Sequence, residues 1–288
     1  KAILDMYEKE QVTFPIRAFF GDLLERPRRT KAYPIALLNQ NINLDQLLAI
    51  NNAMKYPLAY IQGPPGTGKT NTILNTIVTA FFNNMTVLFA SYNNVPINNV
   101  FEKLSSLTYK GKRVAFPVLR LGNQEKVKEC ICYINQLRRE VHGIKVFSST
   151  LDRRKGDRID RAKQLSGRLK EYEEVLDLTE RKETLTQVME YQERMKNVAT
   201  LFHFHTDLQG RQLRNLDDKI RKIGEISERD AMALLDRNED EFYSYLYYTS
   251  AKYIKELESN RFQDLRKILD DDEDVNEQAA AFNKYLQK

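Results

Sequence analysis

Eight consecutive residues, Gly63-Pro64-Pro65-Gly66-Thr67-Gly68-Lys69-Thr70, carry the most specific chemistry in the chain. They fit the spacing G-x-x-x-x-G-K-[ST], which is suited to holding phosphates. Glycines let the backbone curl until successive N–H groups point at phosphate oxygens. A helix beginning at Lys69 adds its positive N-terminal end. The Lys69 ammonium reaches the outer phosphates as a point charge, and the Thr70 hydroxyl is placed for a magnesium ion. Pro64 and Pro65 stiffen the entry to the loop and lower the entropy lost in holding it open. The expected ligands are ATP, or another nucleoside triphosphate, and Mg2+, with Lys69 and Thr70 as the catalytic end of the site. A chance glycine-rich turn is the competing reading, and the flanking pattern of an apolar run before and a helix after speaks against it.

Cleavage of a triphosphate needs two further parts, an acidic pair after an apolar strand and an arginine finger. Neither is evident within the 288 residues. Arg120 ends a strand candidate, but nothing marks it as a finger. The acidic run Asp270-Asp271-Asp272-Glu273-Asp274 follows Arg266-Lys267-Ile268-Leu269 in a helical context, which reads as a solvated face rather than a magnesium site.

The elements that must position the loop follow from periodicity. Asn43–Met54 reads as a helix with Asn43 as N-cap and Leu44, Leu47, Leu48 and Ile50 on its apolar side. Pro57–Gln62 is a short apolar run expected to be a buried strand. Lys69 to Phe82 reads as a buried helix, Thr86–Ser91 as a second strand, and Ile97–Leu107 as an amphipathic helix. Arg113–Leu121 is a third strand candidate, with Pro117 arguing against a central position. Strand–loop–helix alternation of this kind points to a parallel sheet. The expected fold class is α/β, a partial P-loop (RecA-like) parallel sheet with a large, mainly α-helical or coiled-coil insertion.

After residue 123 the grammar changes to helices. Charges of both signs alternate with helically spaced Leu, Met and Tyr, and residues 155–200 read as one long helix with loose heptads. A further helix covers about 211–223, and Ser227 reads as a cap for the next. Tyr243, Tyr245, Tyr248 and Tyr253 fall in an aromatic-rich helix and fit either helix packing or base stacking. The expected organisation is therefore 1–36 as the end of an upstream segment, 37–123 as the first half of a nucleotide-binding core, and 124–288 as a helical insertion.

Residues 1–123 hold 14 Lys/Arg against 7 Asp/Glu, whereas residues 124–288 hold 31 against 33. Positive charge thus gathers on the part with the phosphate loop, which suits a polyanionic partner or, more plainly, a solvated basic surface. Cys130 and Cys132 are too close for an ordinary disulfide and no second pair completes a zinc site. His203 and His205 face apart at helical spacing. No apolar run is long enough to span a membrane and no signal peptide is evident, so a cytoplasmic location is expected.

Three segments resemble superfamily 1 helicases of the 5′-to-3′ type, the group that includes the nonsense-mediated-decay helicase. Ile61-Gln62 with Gly63–Thr70, including the double proline, looks like that group's first motif. Asn43-Leu44-Asp45-Gln46 with Ala49-Ile50 looks like its glutamine motif. Ser91-Tyr92-Asn93-Asn94-Val95-Pro96-Ile97-Asn98-Asn99 looks like motif Ia, and Arg120-Leu121-Gly122-Asn123 like the arginine segment that follows. The sequence departs at Tyr92, where the group usually has proline, and at Asn98, where it often has aspartate. The resemblance implies that Gln46 reads the adenine edge with its amide, and that Ser91, Asn93 and Asn94 contact a single strand of nucleic acid. It also implies that the helices after residue 123 are the stalk inserted in this group's first domain.

The expected function is the ATP-binding part of an ATP-dependent helicase or translocase, an NTP hydrolase as a whole protein. Residues 1–288 are expected to be its front portion, with the acidic motif and arginine finger beyond Lys288 and little turnover alone. The alternative is a nucleotide-dependent switch or scaffold that uses residues 124–288 to bind a protein partner. A small-molecule kinase fits poorly, because no substrate-lid pattern is present.

Overall fold

The computed structural model describes residues 16–17, 32–38, 41–195, 206–224, 228–235, 239–259, 262–269 and 274–286. His203, His205, Ser227 and Asp270–Glu273 lie outside the described residues. The chain divides into two compact units, one of residues 1–67 with 159–235 and one of residues 68–158 with 236–288.

In the first unit, helix α1 (Leu44–Lys55) starts at a reciprocal cap. The Gln46 N–H donates to Asn43 Oδ1 at 2.9 Å, and the Asn43 N–H donates to Gln46 Oε1 at 3.2 Å. This satisfies two of the N–H groups a helix start leaves without partners. The buried face of α1 carries Leu44, Leu47 and Ile50, which pack with Leu37, Ile42, Leu165, Leu169, Ala231 and Leu235. Leu165 and Leu169 are one turn apart on the long helix α5 (Ser148–Met195), so they present one face to this core. Tyr172, close by on α5, donates its hydroxyl to Asp45 at 2.8 Å. Helix α6 (Thr206–Ile223) ends at Gly224, whose φ of 79° is the left-handed stop that glycine supplies freely. Lys182 of α5 pairs with Asp217 of α6 at 2.6 Å. Helix α7 (Glu228–Ala233) brings Ala231 into the same core.

The second unit opens with α2 (Lys69–Phe82) and α3 (Asn94–Ser105), which pack on each other. Strands β1 (Thr108–Tyr109) and β2 (Lys112–Arg113) form an antiparallel hairpin. Its two-residue turn has Lys110 at φ 48° and Gly111 at φ 72°, the pair of positive φ values that matches strand twist. Helix α4 (Gln124–Val141) is capped by Asn123, which accepts from the Lys126 N–H at 3.0 Å. Its apolar positions recur every three or four residues and serve two cores. Val127, Cys130, Ile131 and Ile134 meet Leu269, Ala279 and Phe282, while Leu137 and Val141 meet Ala115, Ala251 and Ile254. Helix α8 (Glu239–Glu256) supplies Ala251 and Ile254, α10 (Val275–Leu286) supplies Ala279 and Phe282, and α9 (Gln263–Ile268) adds the partly buried Leu265 and Ile268. Phe82 stacks on Tyr245 at 4.9 Å and 17°, and Phe81 leans on Tyr253 at 5.0 Å, so these tyrosines pack helices.

The expected parallel sheet is not seen among the described residues. The hairpin is the sole strand pairing among the described residues. Pro57–Gln62 and Thr86–Ser91 run without regular pairing, and Tyr60 and Leu88 are 87% and 89% exposed. An apolar run becomes a strand only when a neighbour takes its N–H and C=O groups, and neither run is paired with another strand among the described residues. Arg113–Leu121 is split. Val114, Ala115 and Phe116 are buried, but the Phe116 and Val118 N–H groups donate two residues back, to Val114 and Phe116, in γ-turn fashion around Pro117. No helix among the described residues is long and apolar enough to cross a membrane.

Cys130 is buried on α4 and its thiol is pushed up to about 12 by loss of solvent, while Cys132 is exposed. An alkylating reagent at pH 8 is therefore expected to add one equivalent to the folded protein, at Cys132, and two after denaturation, read by intact mass.

Candidate nucleotide and nucleic-acid sites

The division between units falls inside the phosphate loop, after Thr67, so each side is described in its own unit. On the first side, Pro64 to Thr67 form a tight turn. The Thr67 hydroxyl donates to the Pro64 carbonyl at 2.8 Å, and the Thr67 N–H reaches the same oxygen at 3.4 Å. Gly66 sits at φ 85°, a value an L side chain adopts only at a cost of about 1–2 kcal/mol. An added Cβ there would meet nothing within 4 Å, so glycine is required by conformation rather than space. Pro64, Pro65, Gly66 and Thr67 are exposed, and Gly63 is half-buried.

Gln46 comes to this turn from α1. Its Nε2 donates to the Thr67 carbonyl at 2.7 Å while its Oε1 holds the cap of its own helix. The amide thus spends one donor and one lone pair internally and keeps one of each for a ligand edge. The local part of this role is readable from the Asn43-x-x-Gln46 spacing, whereas the bond to Thr67 spans 21 residues and leaves no sequence signal.

On the second side, Gly68 has φ 74° and caps α2 without a side-chain bond. The first turn of α2 carries no acid, so the positive end of the helix dipole is not neutralised within its own helix. Lys69 and Thr70 are the first two helical residues and both are exposed. Backbone donors at a helix start, an ammonium and a hydroxyl form a donor set of the kind that suits a triphosphate and its magnesium ion.

The candidate strand-contact residues lie at the start of α3. Ser91, Tyr92, Asn93 and Asn94 are all exposed. Ser91 Oγ accepts from the Asn93 N–H at 3.3 Å, and Asn93 makes no side-chain cap. Arg120, absent from the sequence-based site, is brought to the same place. Its Nη2 donates to Asn94 Oδ1 at 2.8 Å and its Nε to Asn98 Oδ1 at 3.1 Å. Only the general resemblance of Arg120–Asn123 to an arginine segment drew attention to it, because its partners are 22 and 26 residues away.

Comparison with known proteins gives the following. The AAA domain family matches residues 41–283. Over 99 residues, 34% of this chain and 9% of the other protein, the sequence is 31% identical to the DNA-binding protein SMUBP-2 of Mus musculus. Over 124 residues, 38% of this chain, it is 31% identical to the DNA replication ATP-dependent helicase/nuclease JHS1 of Arabidopsis thaliana, covering 9% of that protein. Over 94 residues, 32% of this chain, it is 30% identical to the DNA polymerase alpha-associated DNA helicase A of Schizosaccharomyces pombe, covering 13% of that protein. The chain thus spans about a tenth of the length of these curated relatives. No solved structure matches.

Proposed function

We propose, from the premise that this chain belongs to the AAA domain family and carries a superfamily 1 helicase domain, that it is the nucleotide-binding portion of an ATP-driven motor acting on a nucleic-acid strand. The observation that carries this reading is the loop leading into α2. Two glycines at positive φ curl the backbone, and the helix behind them starts with Lys69 and Thr70 and no acid.

In this reading Mg2+-bound ATP supplies the triphosphate whose cleavage powers movement. The chain's own residues hold it. Gly63, Pro64, Pro65, Gly66, Thr67 and Gly68 shape the cradle. Lys69 balances charge on the outer phosphates, Thr70 offers its hydroxyl to the metal, and Gln46 meets the adenine edge with the donor and acceptor it retains. Ser91, Asn93 and Asn94 contact the strand. Residues 37–123 form the core of the motor and 124–288 the helical insertion, which is open to a protein partner. Residues 1–288 bind nucleotide with little turnover, since no acidic pair follows an apolar strand within them. The relatives' names support trying DNA first.

A labelled single-stranded oligonucleotide titrated with the full chain at rising salt tests the motor reading. Affinity is expected to fall linearly on a log–log plot, with a slope of about −0.7 for each phosphate neutralised. Absence of binding at low salt overturns the motor and leaves the switch, which acts through proteins.

A further inference from the structure

We propose that Arg120 is the positioning residue of the strand-contact loop, holding the first turn of α3 from outside in place of a helix cap. The proposal rests on the reading that Ser91, Asn93 and Asn94 touch the strand, and it names what keeps them in place. A helix start leaves backbone groups and side chains without intrahelical restraint, and an Asn at the N-cap normally supplies it. Asn93 holds that position here and makes no cap bond. The restraint comes instead from a half-buried guanidinium far along the chain. Asn94 and Asn98 are one turn apart on the same face of α3, and Arg120 bonds both side-chain oxygens, at 2.8 and 3.1 Å. Its remaining nitrogen donates to the Leu121 carbonyl, which ties the guanidinium to its own backbone.

Two features make this more than packing. The fork is planar and its donors are fixed relative to one another, so it sets the rotation of the first turn as well as its distance. The acceptors Asn94, Asn98 and the Leu121 carbonyl are neutral oxygens, so hydrogen-bond geometry rather than charge pairing holds the fork. The consequence is a loop whose own polar side chains, Ser91 and Asn93, are left to face a ligand while a distant residue bears the structural duty.

The test separates holding from direct contact with phosphate. Arg120→Lys keeps the charge and loses the fork, and Arg120→Gln loses both. If Arg120 positions the loop, both variants weaken oligonucleotide binding about equally, by roughly tenfold, with an unchanged salt slope. The variant Asn98→Ala, which attacks the clamp from the other side at a residue outside the strand contacts, weakens binding in the same direction, and its loss combines less than additively with that of Arg120→Lys. Gly122→Ala is the folding control. Its Cβ would lie 3.5 Å from Arg120 Nη1, an ordinary contact, so binding is expected to stay at the parent level. Rescue by lysine, a salt slope lowered only in the glutamine variant, or additive losses would overturn the proposal.

A second readout does not need the strand. The chain contains no tryptophan, so Tyr92→Trp places a single indole in the loop. Arg120→Lys in that background is expected to lower its fluorescence anisotropy at an unchanged thermal midpoint. If the parent fails to bind any oligonucleotide, the strand reading falls. The clamp is then judged by the indole alone, and equal anisotropy with and without Arg120 sinks it.

Discussion

Replacing Lys69 by alanine is expected to weaken ATP binding by roughly 100-fold, the scale of truncating one partner in a desolvated charge pair. The full chain titrated with a fluorescent ATP analogue in the presence of Mg2+ measures it. The argument starts from charge. A triphosphate brings several negative charges into a loop whose other donors are neutral N–H groups and the hydroxyls of Thr67 and Thr70. Lys69 is the sole cation among Gly63–Thr70. It opens α2, where the helix end is already positive and the first turn carries no acid. Loss of the ammonium leaves the backbone cradle intact, so residual weak binding remains, and the thermal midpoint of the ligand-free protein should barely move because Lys69 is exposed. An unchanged affinity would remove the loop from the nucleotide site altogether.

Leu47→Ala is expected to cost about 2–5 kcal/mol of unfolding free energy, measured by urea denaturation followed by circular dichroism. Leu47 is 0% exposed at the centre of the first unit's core, among Leu44, Ile50, Leu165 and Leu169. Removing three carbons forfeits their transfer energy and leaves a cavity that the packed side chains of the α1 and α5 helices can fill only in part. The neighbour of Leu47 is Gln46, whose amide holds the Thr67 carbonyl. The same variant should therefore also weaken nucleotide binding in the fraction that remains folded. A loss below 0.5 kcal/mol, the range of a surface site, would mean that α1 does not anchor this core.

What could be read from the amino acids divides along the distance between partners. The candidate phosphate loop is contiguous, so spacing alone proposes it. The α1 helix carries its own start signal in Asn43 and Gln46, and Lys69–Phe82 forms as its apolar pattern expects. The long helix was visible too, because its repeat is local, although it begins at Ser148, earlier than periodicity suggested. The strands were not. A run such as Thr86–Ser91 advertises burial, yet a strand exists only with a partner that the run itself does not specify. The contacts that shape the candidate sites were equally silent. Arg120 meets Asn94 across 26 residues, and Tyr172 meets Asp45 across 127. Nothing in the types Arg, Asn, Tyr and Asp at those separations predicts the pairing.

The 48 residues of the Ser148–Met195 helix have a consequence in leverage. At 1.5 Å per residue the stretch from Tyr172 to Met195 extends about 35 Å beyond the packing at Leu165 and Leu169. A tilt of about 10° at that packing would sweep the far end through about 6 Å, more than one helical turn of pitch. The fulcrum lies one hydrogen bond from Asp45, the residue next to Gln46. Sub-ångström adjustments beside the Gln46 amide would therefore emerge, geometrically magnified, at the opposite end of the rod.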